Sequence, residues 1–300
     1  MKTKAWLNAV RLRTLPLSVS GILIGSGLAA MYGATDRTIF FLALLSTLGL
    51  QIISNLANDY GDGIKGTDND ERIGPKRAYQ SGELSSTELK TGILIAVVLT
   101  LLCIGILLYQ AFNGLPEFFL LFTVFGALAV WSAIRYTVGK SAYGYKGLGD
   151  LFVFAFFGLL SVLGSMFLFT KYLTLAAVLP AIAIGLLSTA VLNLNNLRDH
   201  NSDVQAGKFT LVVKLGIRRA RQYHYLLVVG AFLCMIFFIA LNASQWYQTL
   251  CLLAFVPLGL HLRKVSGVVE PKKFDPELKI VALSTFFMAL FFYLGFNIFL

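Results

Sequence analysis

Apolar runs recur along the chain near residues 15–34, 38–57, 90–110, 116–136, 148–169, 172–194, 222–241, 246–262 and 280–299. Each approaches the roughly 20 residues that a helix needs to cross a hydrocarbon core. The pattern predicts an all-α, polytopic membrane protein of about nine transmembrane helices, forming one domain over residues 1–300. The first run stands behind Lys2, Lys4, Arg11 and Arg13 and so imitates a signal peptide. Its length, and the eight runs after it, predict a retained helix instead.

Composition sharpens this picture. Of 300 residues, 57% are hydrophobic and 13% are charged, the latter about half of what a soluble domain carries. An ordinary soluble domain and a disordered chain are both excluded. The net charge of +10 suggests nucleic acid at first sight, but Lys and Arg collect in the cytoplasmic loops of membrane proteins for topological reasons. With the N-terminus placed in the cytoplasm, all of the 25 Lys and Arg except Arg37 and Lys171 fall on the cytoplasmic side. The expected orientation is therefore N-in and C-out. Cys103, Cys234 and Cys251 sit in apolar runs without a CxxC or His companion, which predicts neither a disulfide framework nor a zinc site.

The two longest connections, about 58–89 and 195–221, share one side and hold most of the Asp residues. One cluster closes the second run: Asn55, Asn58, Asp59 and Asp62, followed by Lys65, Asp68, Asp70 and Arg72. Another closes the sixth: Asn193, Asn195, Asn196, Arg198, Asp199 and Asp203, followed by Lys208 and Thr210. Residues four apart share a helix face, so Asn58 pairs with Asp62, and Asn195 with Asp199 and Asp203. Asn55 with Asp59 forms a competing pair that spacing alone does not separate from the first. Crowded carboxylates at a buried helix end repel one another unless a cation sits among them. Asp and Asn without a His or Cys cluster point to Mg²⁺ or Ca²⁺. Two clusters together suggest two metal ions gripping one diphosphate. Against this stands the bland alternative of two solvated helix caps, weakened by the matched Asn-xxx-Asp spacing.

Three apparent motifs are rejected. Gly61-Asp-Gly63-Ile-Lys-Gly66 fits GxGxxG, but it follows a membrane helix and is flanked by carboxylates. Gly207-Lys208-Phe209-Thr210 lacks the upstream glycine of a P-loop. Asp68-Asn-Asp70 lacks the downstream residues of an EF-hand. Among the basic and aromatic residues, Tyr136 and Lys140 are expected one helical turn apart, and Tyr143 and Tyr145 lead into the fifth run. Lys140, Arg72, Arg198 and Lys208 stand near the expected catalytic helix ends. His200 is expected to be a bystander, with His224 and His261 at the membrane interface.

Over essentially its whole length the chain resembles the UbiA superfamily of intramembrane prenyltransferases. Asn58-xxx-Asp62 matches the first of its two aspartate motifs, with Gly66 where a third Asp belongs and Asp68 two residues later. Asp199-xxx-Asp203 matches the second, and Tyr136-xxx-Lys140 the family's YxxxK. The segments NLANDYGDGIKGTDNDERIGPKRAYQSG, YGYKGLGDLFVF and NNLRDHNSDVQAGKFTLVVKLG resemble the branch that prenylates 1,4-dihydroxy-2-naphthoate in menaquinone synthesis.

The resemblance implies a helical bundle around a central cavity open to the cytoplasm, in a bacterial inner membrane. It implies an Mg²⁺-dependent transfer from an all-trans polyprenyl diphosphate to the naphthoate with loss of CO₂. Asp62, Asp199, Asp203, Lys140 and Tyr136 would be catalytic. Asn58, Asp59, Asp62, Asp68, Asn195, Asp199 and Asp203 would hold two Mg²⁺ ions bridging the diphosphate. Arg11, Arg72, Lys140, Arg198, Lys208 and Tyr145 would bind substrate. The expected partners are the two substrates and membrane lipid, with no nucleic acid. The Phe-rich stretch 152–157 would line the prenyl channel or face lipid. The rival readings are a 4-hydroxybenzoate prenyltransferase and a cation-coupled transporter.

Overall fold

The computed structural model describes residues 2–68 and 73–297. Among these, nine helices are long and apolar enough to cross a membrane. They are span 1 (Lys2–Met31), span 2 (Arg37–Ile64), span 3 (Ser86–Phe112), span 4 (Pro116–Arg135), span 5 (Gly149–Thr170), span 6 (Leu175–Arg198), span 7 (Leu211–Asn242), span 8 (Trp246–Gly267) and span 9 (Pro271–Asn297). The protein is a multi-pass membrane protein. Several helices outrun the apolar windows at their polar ends, because hydropathy marks only the immersed part of a helix. Span 2 carries its Asp motif as continuing helix to Ile64. Span 7 begins at Leu211, well before residue 222, and is interrupted at Gly216 (φ 74°).

Local chemistry explains the helix starts. The Asp36 carboxylate accepts from the Ile39 amide at 2.9 Å, Ser85 and Glu88 form a reciprocal capping box, and the Thr210 hydroxyl accepts from the Val213 amide. Each satisfies donors that the first turn leaves open.

Spans 1 and 6 are the most enclosed, and spans 3 and 4 the least. The largest core joins spans 1 and 5–9 around Leu28, Ile184, Leu187, Met235 and Phe292. Lipid tails are as apolar as Leu, so close association depends on shape. Gly158 and Gly185 show this: a Cβ on Gly158 would lie 2.5 Å from the Gly185 Cα. Span 5 is π-helical over Phe154–Gly164, a rare form that frequently occurs at functional sites.

Span 1 is broken at Arg11, whose φ of 56° lies in the left-handed region. Span 4 ends at Arg135, and the chain turns through Gly139 at φ 90°. Tyr136 and Lys140 are therefore not stacked on one helical turn, as their spacing predicted. His224 and His261 also depart from expectation. Both are fully buried, with Nε2 atoms 2.8 Å apart, and His261 Nδ1 lies 2.6 Å from Glu277. A polar chain across spans 7, 8 and 9 thus engages both nitrogens of His261 and Nε2 of His224.

Candidate active site

The Asp-bearing ends of spans 2 and 6 meet at one end of the bundle. Asp62 is the centre. Its Oδ1 accepts from the Tyr145 hydroxyl at 2.7 Å and its Oδ2 from Arg77 Nη1 at 3.0 Å, while Lys208 Nζ stands 3.9 Å away. The single phenolic proton of Tyr145 is committed to Asp62, so the Thr67 hydroxyl, 2.6 Å from the same oxygen, is the donor there. Lys208 also lies 3.8 Å from Asp203, and one ammonium thus stands between the two motifs. Its backbone is held in place as well, since its amide bonds the Asp203 carbonyl at 2.8 Å.

Arg77 reaches further. Its Nε lies 3.1 Å from Asp68, and Nη1 also donates to the Asn58 carbonyl at 2.6 Å. Burial works against the charge on Arg77, but Asp62, Asp68 and Asp59 outweigh it and raise its pKa. Burial is likewise overcome at Lys208 by Asp62 and Asp203. Both groups are held charged by the carboxylates they neutralise. Tyr145 is kept protonated, first by burial and then by the Asp62 charge. Lys65 sits 3.9 Å over its ring.

The second motif differs from the single helix face that its spacing suggested. The helix stops at Arg198, and Asp199 leaves helical geometry before a short helix over His200–Gln205. Arg198 Nε and Nη2 fork onto Asp199 at 2.8 and 2.7 Å, and Nη1 takes Asp275 at 2.6 Å. This guanidinium is engaged by protein carboxylates, not left open for a substrate. Asp59 is held by backbone. Its two oxygens accept from the Ala78 and Tyr79 amides at 3.2 and 3.3 Å, tying down the connection that carries Arg77. Lys140 is exposed and stands outside the cavity wall. Arg72 lies outside the described residues.

One turn inward, Asn58, Asn195, Arg11 and Tyr136 border a cavity of about 370 Å³. Burial, followed by the charge of Asp62, raises the Tyr136 pKa well above that of an ordinary phenol. The deeper wall includes Phe122, Phe125, Phe152, Phe156 and Phe157. Three of the phenylalanines at 152–157 therefore face inward, whereas Leu151 is exposed on the outer face.

Arg77 is the functional candidate that sequence spacing missed as a site residue. It lies on the connection after the first motif but outside the motif's four-residue spacing, and only the path of that connection brings it back to Asp62.

The donors are hard oxygens, the chemistry that suits Mg²⁺. Among the described residues no three acidic, His or Cys side chains converge as a cage. The carboxylates instead alternate with Arg77 and Lys208. Such a set fits an ion that takes one or two protein carboxylates and completes its shell with substrate phosphates and water.

Comparison with known proteins agrees with the fold. The chain is 44% identical over 294 residues to the 1,4-dihydroxy-2-naphthoate octaprenyltransferase of Escherichia coli (strain K12), covering 98% of this chain and 95% of that protein. It is 36% identical over 264 residues to the protein of the same name from Mycobacterium tuberculosis (strain ATCC 25618 / H37Rv), covering 88% and 85%. The solved apo structure of a UbiA homolog from Aeropyrum pernix K1 superposes with a TM-score of 0.69 at 14% identity, covering 92% of this chain and 97% of that one. A UbiA homolog from Archaeoglobus fulgidus bound to DMAPP and Mg²⁺ gives a TM-score of 0.60 at 17% identity, covering 96% and 98%. The UbiA prenyltransferase family model matches residues 18–291, and the chain belongs to that family.

Proposed function

We propose that the protein transfers a polyprenyl group from an all-trans polyprenyl diphosphate to 1,4-dihydroxy-2-naphthoate, with loss of diphosphate and CO₂, giving demethylmenaquinol, the hydroquinone form from which demethylmenaquinone is obtained by a separate two-electron oxidation. One observation carries the chemistry: carboxylates alternating with buried cations lie one helical turn beyond Asn58 and Asn195, which border a cavity with phenylalanines in its wall. A diphosphate fits the charged cluster and a polyprenyl chain fits the wall. The choice of naphthoate rests on the relatives that bear that activity in their names. The cation-transporter reading gains no support from acidic groups gathered at one end of the bundle instead of its middle.

Asp62, Asp68 and Asp203, with Asn58 and Asp199 beside them, would hold Mg²⁺. The ion supplies positive charge to the departing diphosphate. Arg77 and Lys208 place two further charges at the same point, in a setting where few waters compete. Tyr145 and Arg77 fix the Asp62 carboxylate before substrate arrives, so little reorganisation remains for the reaction itself. The allylic C–O bond breaks toward this cationic cluster. The carbocation left behind faces phenylalanine rings, whose faces attract positive charge and exclude the water that would quench it. The electron-rich ring of the naphthoate attacks the cation, and its carboxylate leaves as CO₂. Arg11 stands on the wall where it can meet an anionic group.

We infer also that the Asp-bearing end faces the cytoplasm of a bacterial inner membrane, with the N-terminus inside. The concentration of Lys and Arg at that end supports this. The test is to assay the purified protein with a polyprenyl diphosphate and each aromatic acid in turn, measuring released CO₂ and prenylated product. Prenylation of 4-hydroxybenzoate with its carboxylate retained, and no reaction with the naphthoate, would overturn the assignment.

A further inference from the structure

Span 2 carries a polar stripe down into the cavity: Asn58, then Asn55 and Ser54, then Gln51 and Thr47. These positions recur at helical spacing on one face. An amide at membrane depth is costly unless it serves a site, and Gln51 has a determinate orientation.

The orientation follows from the break at Arg11. In an unbroken helix the Thr14 amide would take the Val10 carbonyl, but here it bonds the Arg11 carbonyl at 2.9 Å. The Val10 carbonyl is thereby left to Asn55, whose Nδ2 donates to it at 2.7 Å and to Thr14 Oγ1 at 3.0 Å. A carbonyl only accepts, so the Asn55 amide cannot be turned round. Its Oδ1 must then face Gln51, and Gln51 meets it with Nε2 at 3.1 Å. Gln51 Oε1 is the atom left over, on the cavity wall, and no described residue donates to it.

We propose that Gln51 Oε1 accepts a hydrogen bond from a hydroxyl of the aromatic acceptor, making Gln51 a substrate-binding and ring-orienting residue. This rests on the prenyl-transfer reading above. The complementarity is selective. A polyprenyl chain has no donor, and an ionised diphosphate only accepts. Of the groups that the reaction brings in, the aromatic hydroxyl is the one that can satisfy this oxygen. Gln51 lies about three turns, or about 16 Å, below Asp62 along span 2. A diphosphate head followed by a two-ring aromatic occupies such a length. Accepting from the hydroxyl also leaves electron density in the ring, where the new C–C bond forms.

The experiment measures dissociation constants of 1,4-dihydroxy-2-naphthoate for wild type and Gln51→Leu, with KM for the polyprenyl diphosphate alongside. Losing one neutral hydrogen bond should weaken naphthoate binding about three- to tenfold, with the diphosphate KM unchanged. Naphthoates methylated on one hydroxyl at a time provide the second arm. Wild type should bind one of the two ethers more weakly by a similar factor, and Gln51→Leu should not distinguish that ether from the parent acid. Equal losses for both substrates, or a variant that still makes the distinction, would overturn the proposal. Gln51→Met carries the same test if the Leu variant does not fold. If wild type neither binds nor prenylates the naphthoate, the functional reading falls. The same titration with 4-hydroxybenzoate, which also has a donor hydroxyl, then decides the role of Gln51.

Discussion

The Lys208 ammonium stands 3.9 Å from the Asp62 carboxylate, although Asp62 lies at the end of span 2 and Lys208 on the connection between spans 6 and 7. Asp203 completes the bridge at 3.8 Å. With Arg77 on its other side, Asp62 is a buried anion whose neutralisation comes from two separate connections of the chain. Arg77 contacts only the first motif, whereas Lys208 stands near carboxylates of both.

Lys208→Met should therefore lower prenyl transfer by about 10²- to 10³-fold, the loss usual for one charge-stabilising donor. It should also raise the KM for the polyprenyl diphosphate. Steady-state kinetics with each substrate varied in turn check this. Unchanged kinetics would remove Lys208 from the site.

Asp62→Asn and Asp203→Asn keep side-chain size and remove charge. Each should lower turnover about 10²- to 10³-fold while the protein still folds. Wild-type activity should vanish in excess chelator and return with Mg²⁺. Turnover that persists without divalent cation would refute the metal role of these residues.

Asp59 should behave differently. Its carboxylate receives the Ala78 and Tyr79 amides, so Asp59→Ala leaves buried donors unmatched, at a cost of about 1–3 kcal/mol. The thermal midpoint should fall, and turnover should fall with it as Arg77 loses its anchorage. The Mg²⁺ concentration giving half-maximal rate should stay put. A large change in that concentration, with the midpoint intact, would return Asp59 to the metal site.

Topology has its own test. A reporter active only in the cytoplasm, fused after residue 300, should stay silent, because an odd number of crossings separates the two ends. A strong signal would contradict the orientation read from the basic residues.

Close packing of spans 5 and 6 sets the last expectation. Gly158→Leu places a branched side chain where even a Cβ meets Gly185 Cα at 2.5 Å. The two helices must separate, and the yield of folded protein in detergent should drop sharply. A stable, active variant would mean that this contact is dispensable.

Much of the architecture was legible in the sequence because membrane insertion is governed by local composition. About 20 apolar residues cross a bilayer whatever lies elsewhere in the chain, so the nine apolar runs correspond to nine long apolar helices among the described residues. The two Asp clusters were also legible, since four-residue spacing reports a shared face wherever the helix continues. That held for Asn58 and Asp62 on one unbroken helix. It failed at Asp199, where the helix ends, and at Tyr136–Lys140, where Gly139 turns the chain.

The partnerships were decided by tertiary structure alone. Arg77, Tyr145 and Lys208 come from three different connections and meet at one carboxylate. His224 and His261 looked interfacial by position, yet they are buried against each other and Glu277. Phe152, Phe156 and Phe157 took the cavity side of a π-helical span. Hydropathy and spacing describe what each segment can do within about a turn of itself. Which charge neutralises which depends on where folded connections cross, and that is fixed only when the helices pack.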